Sequence, residues 1–439
     1  MKILFILPEF YPHSGGGIAT FYEELLKGYL EQQHEVTIIV GSGLLTADAN
    51  LVWNGIQIHP LTYDRLFQYK NYFNKFLPFP VLRLHLAAAW AMFDMAKEIG
   101  QFDLVECTDW GWGFIPWLIT NTHKIVVQFH ASIGEIFKYD PIPGKELEAA
   151  ISQTIELTTL SSCNLLIAHS KSTREWWHSQ LKCKVHYQLP PFDQQAYKNK
   201  FVSSGDNQQF VLVAGRVQFW KGAITLCEAF KILNKNAPST IWLGRSTEYK
   251  NENMSEYLGR EYPSIWQKKI INPGQVDKAE IGKFQLQARY VIIPSVWDVF
   301  NYTCLEAMSL GKIVICSNGA GASDLISDGF NGFVFNKNDA ADLAKVILKV
   351  ESLTPEEKEE IEKNAISTIA DRCCPQKLVQ ERIRLYSEIN ANPINPSDWV
   401  KEFISPSNSD NNFNNLLDNI PLKTLISHTT KRVWEKIKK

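Results

Sequence analysis

Three short segments of this 439-residue chain hold residue types whose spacing suits an anionic, hydroxyl-rich ligand. In Gly215-Arg216-Val217-Gln218-Phe219-Trp220-Lys221-Gly222, two cations stand in a loop bounded by glycines. Fixed cations suit a diphosphate, each charged hydrogen bond being worth roughly 1.5–3 kcal/mol. Two solvated surface charges would leave the same trace. In the stretch from Pro294 to Met308, Asp298 lies in a loop and Glu306 follows eight positions later in a helix. Carboxylates so placed accept hydrogen bonds from sugar or ribose hydroxyls while a helix N-terminus faces phosphate. Thr303-x-x-Glu306 also reads as a capping box, which would engage that carboxylate with backbone. The third segment, Gly15-Gly16-Gly17, opens a helix, where glycine lets a ligand approach the backbone and free amides meet an anion. Thr20 stands where a dinucleotide fingerprint needs Gly or Ala, and the next strand ends in Val40-Gly41 without an acid for ribose. An NAD site is therefore disfavoured. A tight turn that merely needs glycine is the competing reading.

Positioning these segments requires strands and helices in alternation. Residues 2–7 read as a buried strand, Ile18, Phe21, Tyr22, Leu25, Leu26, Tyr29 and Leu30 recur at helical spacing, and residues 36–40 read as a second strand. This β-α-β pattern restarts with a strand at 210–214 and a helix bearing Leu226, Ala229, Phe230 and Leu233. Parallel strands need helices on the sheet faces, so the recurrence predicts an α/β chain of two doubly wound domains. Pro190-Pro191 and the polar run 203–209 place the boundary near 190–207. Strands at 290–293 and 313–316 flank a helix that Gly311 ends, and a charged helix spans about 355–370. The Asn-rich residues after 390 read as a loosely ordered appendage with a basic end.

Lys and Arg number 45 against 47 Asp and Glu, which removes the charge argument for nucleic-acid binding. Eight scattered cysteines without zinc-type spacing read as reduced thiols in a cytoplasmic protein. The first apolar run stops at Pro8-Glu9, unlike a signal peptide, and apolar stretches near eight residues fall short of a membrane span. Residues 63–83 combine seven aromatics with Arg65, Lys70, Lys75 and Arg83. Such a composition suits peripheral contact with an anionic inner membrane face, or a helix and loop packed on the first domain.

Gly15–Gly17, the Gly215-Arg216…Lys221-Gly222 loop and Asp298-x-Phe300-Asn301-x4-Glu306-Ala307 together resemble the retaining nucleotide-sugar glycosyltransferases of family 4, across about residues 1–390. The resemblance implies a GT-B fold, two doubly wound Rossmann-like domains with an interdomain cleft. On this reading residues 1–195 form the acceptor-side domain and 205–375 the nucleotide-sugar domain. A helix at 376–390 returns toward the first, and 391–439 is the appendage. The family pattern implies that Arg216 and Lys221 hold the donor diphosphate, Glu306 the ribose hydroxyls, and that Asp298 faces the transferred sugar. It also implies that Gly15–Gly17, Gly215 and the amides of Phe300, Asn301, Tyr302 and Thr303 line the site, that Gln275 and Val276 flank the base, and that His130 is the first domain's active-site histidine. No metal or other cofactor is expected, since the family generally needs none and the chain has no Asp-x-Asp motif.

The chain departs from the family at three places. Asp298 replaces a glutamate, Asn301 a glycine, and Asp324 a common glutamate, so the nucleotide site matches better than the sugar site. Asn301 is expected to keep the turn by tolerating a left-handed backbone. The expected activity is transfer of a sugar to a hydroxyl of a glycan, lipid-linked or small-molecule acceptor. A nucleotide-sugar epimerase, a phosphorylase and a noncatalytic sugar-nucleotide-binding module are the rival readings.

Overall fold

The computed structural model describes residues 1–11, 16–41, 51–142, 144–201, 210–389, 394, 396–407 and seven positions between 422 and 434. Gly15, the polar run from 203 and most of the basic end lie outside the described residues. The chain forms two compact units. The first comprises Met1–Ile167, His178–Val185 and Leu385–Lys439, the second Ala168–Trp177 and His186–Arg384.

In the first unit β1 (Lys2–Leu7), β2 (Glu35–Val40), β3 (Leu51–Trp53), β4 (Ile56–Pro60), β5 (Leu104–Thr108), β6 (Lys124–Gln128) and β7 (Leu165–Ala168) lie in the order β3-β4-β2-β1-β5-β6-β7. The pairings are parallel except β3 with β4. Ile3 to Leu7 are all buried, as a central parallel strand covered on both faces requires. The chain leaves β1 toward β2 and β4, then crosses to β5. The β1/β5 gap is thus the topological switch point, outside whose carboxyl ends such sheets bind ligands. Helix Gly17–Glu31 buries Phe21, Tyr22, Leu25, Leu26 and Tyr29 on one stripe. A Cβ on Gly16 would lie 2.4 Å from a carboxylate oxygen of Glu9, and the Ala19 amide donates to that carboxylate at 3.3 Å. The helix start therefore already carries an anion from the chain itself.

Residues 63–83 are folded onto this unit. Helix Tyr63–Asn71 and a short turn lead into helix Pro80–Ile99, with Phe73, Phe76 and Phe79 buried. Arg65 pairs with Glu98 at 2.6 Å, Arg83 donates to the Lys70 carbonyl and to Asn74, and Lys75 donates to the carbonyls of Glu402 and Ser405. Three of the four basic side chains are thus spent inside the fold, so the packed reading is the one observed. Tyr63 and Phe67 remain exposed. Among the described residues no helix is long and apolar enough to cross a membrane. The expectation of a loose appendage fails over part of its length. Asp398–Ile404 is helical, with Val400, Phe403 and Ile404 buried at helical spacing and Phe403 edge-on to Phe76.

In the second unit, after the short β8 (His186–Tyr187), come β9 (Val211–Ala214), β10 (Thr240–Leu243), a two-stranded ribbon of β11 (Glu248–Tyr249) and β12 (Glu252–Asn253), β13 (Ile270–Gly274), β14 (Val291–Ile293), β15 (Val314–Ser317) and β16 (Phe333–Phe335). The main sheet is parallel, in the order β13-β10-β9-β14-β15-β16, so its switch point is the β9/β14 gap. The second unit gathers residues well before the prolines at 190 and 191. The Lys171 amide donates to Asp324 at 2.6 Å, Gln188 bonds Arg382 and the Leu378 carbonyl, and the Phe192 amide donates to the Cys373 carbonyl. Helix Pro375–Ser387 divides at Arg384, after which Tyr386 donates to Glu106 in the first unit. All eight cysteines are free.

Candidate functional site

The two chemistry-bearing segments of the second unit meet at the β9/β14 switch point. β9 runs into Gly215-Arg216, the turn Phe219–Lys221 and helix Ala223–Leu233. Gly222 joins turn to helix at φ 80, and a Cβ there would lie 1.8 Å from the Pro294 carbonyl oxygen. Only glycine lets the two loops approach this closely. The Val296 amide donates to the Trp220 carbonyl at 2.8 Å, and the Trp220 and Trp297 rings stack at 4.9 Å. The Arg216 guanidinium and the Lys221 ammonium lie 5.9 and 6.0 Å from the Trp220 ring. The loops thus hold two cations beside one aromatic plate.

Lys221 Nζ is 2.5 Å from Asp298 Oδ2, which also accepts from Asn301 Nδ2 at 3.1 Å. The carboxylate expected to face sugar is therefore shared with the lysine expected to hold phosphate. Asn301 sits at φ −104, ψ 107, immediately before helix Tyr302–Ser309. Its extended backbone corrects the expectation of a left-handed residue, because no turn here demands positive φ. Tyr302 and Thr303 are the first two helical residues, and no side chain caps this helix. The capping-box reading falls with that observation. Thr303 is already inside the helix, and Glu306 lies a full turn in.

Glu306 is instead held laterally. Its Oε2 accepts from Gln285 Nε2 at 3.2 Å, and Gln285 Oε1 accepts from the Tyr197 hydroxyl at 2.9 Å. Glu306 is 8% exposed and Gln285 fully buried. Sequence reasoning missed this relay, since isolated Gln and Tyr on separate helices have no pattern. Gln275 and Val276 follow the carboxyl end of β13, two strands from β9, with Gln275 exposed. Phe300 packs edge-on to His169, whose burial pulls its pKa down to about 3 and keeps it neutral. Burial also raises Asp324, whose carboxylate accepts the Lys171 amide.

The first unit builds a different cluster outside β5 and β6. Asp109 Oδ1 accepts the His130 amide at 2.7 Å and the Trp110 amide at 2.9 Å. His130 lies against Phe21 and Tyr22, at 5.1 and 5.7 Å between rings. Ala131 follows at φ 111, a backbone that L-residues rarely adopt, which the Asp109 carboxylate clamps from beneath. Asp109 is fully buried, and its Oδ2 has no partner. Burial pushes its pKa up to about 7 against amide donors that pull it down. Glu156, also fully buried, accepts the Ile133 and Gly134 amides and the Trp112 indole N–H. Burial, with Asp109 adding to it, raises Glu156 to about 8. Gly16 and Gly17 lie at the helix start already filled by Glu9. Among the described residues no group of three His, Cys, Asp or Glu side chains is placed to hold a metal ion.

Residues 15–191 match the sequence model described as Glycosyltransferase Family 4, and residues 194–368 that described as Glycosyl transferases group 1. The chain belongs to the group 1 glycosyltransferases. An uncharacterized glycosyltransferase of Methanocaldococcus jannaschii is 26% identical over 370 residues, covering 77% of this chain and 86% of that protein. Among solved structures, the sucrose-phosphate synthase of Thermosynechococcus elongatus superposes with a TM-score of 0.66 at 17% identity, covering 88% of this chain and 98% of that one. Anabaena HepE, solved in complex with UDP and glucose, gives 0.65 at 17% identity, covering 88% and 100%. These likenesses establish the GT-B fold for this glycosyltransferase.

Proposed function

We propose that this glycosyltransferase moves a sugar, with retention, from a nucleoside-diphosphate sugar to a hydroxyl acceptor in glycan, polysaccharide or glycolipid synthesis. The observation that carries the reading is that two loops at the carboxyl ends of β9 and β14 bring Arg216 and Lys221 beside Trp220 and Lys221 onto Asp298, with Glu306 buried in the helix that follows. The donor diphosphate lies against Arg216 and Lys221, and Glu306, held by Gln285, takes the ribose hydroxyls. As the glycosidic carbon–oxygen bond to phosphate breaks, negative charge develops on the departing diphosphate. Two fixed cations neutralise it, an electrostatic contribution of several kcal/mol where water is excluded. Asp298, paired with Lys221, stands beside the diphosphate on the side of the transferred sugar. In the first unit, His130, which the family pattern makes the active-site histidine, is set by its backbone amide on the buried Asp109 carboxylate. The chemistry needs no metal, since the cations are protein-borne.

The HepE complex with UDP and glucose supports a nucleotide-sugar donor, as do the match of the second unit to the group 1 family and the shared fold. Thermal-shift screening against UDP, GDP and ADP sugars tests the reading. A ligand at 100 times its Kd stabilises by about 2.7 kcal/mol, so a true donor shifts Tm clearly. No shift with any of the three classes would contradict it.

A further inference from the structure

We infer that Ser295 and Asn301 form a notch, one oxygen atom wide, that reads a single hydroxyl of the transferred sugar; this rests on the nucleotide-sugar reading above. A small cavity opens at the switch point of the second sheet. Its floor is apolar, from Val213, Trp242, Ile292 and Ile293, and its polar lining comes from Lys221, Ser295 and Asn301, with the chain ends of β9 and β14 beside them. It encloses about 10 Å³, room for one water or one hydroxyl oxygen and too little for an acetamido group.

Two oxygens of the residues that line it have no hydrogen-bond partner. Ser295 Oγ and Asn301 Oδ1 are both buried and unpaired, on residues that are 0% and 9% exposed. Buried polar atoms are almost always paired, so two orphans on residues that line one small cavity mark a place completed by a ligand atom. Their chemistry is complementary. The amide oxygen only accepts, whereas the serine hydroxyl donates or accepts. A sugar hydroxyl that donates to Asn301 Oδ1 and accepts from Ser295 satisfies both.

Asn301 cannot simply turn away. Its Nδ2 donates to Asp298, and Asp298 is gripped by Lys221 at 2.5 Å. The carboxylate also fixes which end of the amide is nitrogen, since two acceptors would repel. The extended backbone at 301 makes no demand for asparagine, so the side chain is there for its contacts. Lys221 links notch to diphosphate, which makes the transferred sugar the part of the donor that meets it. A bulkier substituent at that carbon must displace Asn301 and break the Asp298 contact.

The test begins with calorimetric titration of the whole chain with UDP, GDP and ADP. The diphosphate that binds selects a hexosyl donor, its analogues with one hydroxyl at a time replaced by hydrogen, and its 2-acetamido counterpart. In the wild-type chain one deoxy analogue binds at least about tenfold more weakly than the parent, the rest losing less. In Asn301→Gly, that analogue and the parent come level. Ser295→Ala removes one atom, and the same analogue loses its disadvantage there too, which keeps the test open if Asn301→Gly fails to fold. Equal binding of every deoxy analogue by the wild type, or unchanged selectivity in both variants, overturns the notch and leaves the donor reading standing. Failure of all three diphosphates to bind overturns the donor reading, and the notch with it.

Discussion

Outside its switch point the first sheet buries two carboxyl groups, Asp109 and Glu156, clamped by backbone amides, whereas the second presents Arg216 and pairs Lys221 with Asp298. Both sheets are wound alike, with the central strand at the crossover. The winding therefore supplies only the place, and the loop residues supply the charge. In the first unit burial pushes carboxyl pKa values up to about 7 and about 8, so protonation changes near neutral pH. In the second, the charges are those of an arginine, a lysine and the carboxylate that the lysine pairs with.

Removing the cations should break this contrast most severely. Arg216→Ala or Lys221→Ala is expected to lower kcat/KM at least about tenfold, the consequence of losing 1.4 kcal/mol in the transition state. Wild-type turnover in both variants would sink the diphosphate assignment. Glu306→Gln should weaken nucleotide binding roughly tenfold by calorimetry, because a charged hydrogen bond to ribose is lost. A lowered Tm with unchanged affinity would make Glu306 a structural partner of Gln285 alone.

The buried carboxyls sharpen the comparison through pH. Asp109 and Glu156 have folded pKa values raised above their ordinary 3.8 and 4.5. Their contribution to stability is fully present below about pH 4 and is lost as pH rises through about 7 and 8. Glu156→Gln, which cannot ionise, should gain on the wild type in Tm between pH 5 and 8 by differential scanning fluorimetry. A constant Tm difference across that window would show that Glu156 is already ionised in the fold. The smallest expected effect is that of Tyr197→Phe, which removes one hydrogen bond to Gln285. It should cost about 0.5–1.5 kcal/mol of stability, read as a small fall in Tm, together with a few-fold loss of nucleotide affinity. No change in affinity would mean that Gln285 orients Glu306 unaided.

The strands and the glycine-bounded loops were legible because hydrophobic period and glycine carry local information. Residues 2–7 and the loop from Gly215 to Gly222 fold much as their patterns demand. Glu306 was legible as a site residue but not in its setting. Thr303-x-x-Glu306 has capping-box spacing, yet the helix starts two residues too early for Thr303 to cap it. Asp109, Glu156 and Gln285 were not legible, since a lone acid or amide looks like surface until strands far apart in sequence bury it. Residues 398–404 show the opposite error. Their Asn-rich flanks suggested disorder, and three apolar residues at helical spacing were enough to dock them.

The central claim is that the second unit binds a nucleoside diphosphate through Arg216 and Lys221. Calorimetric titration of the wild type and of Lys221→Ala with UDP, GDP and ADP tests it most directly. We predict that one diphosphate binds the wild type and that Lys221→Ala weakens it at least about tenfold, as loss of a charged hydrogen bond requires. Binding of equal strength to both proteins, or none to the wild type, would contradict it.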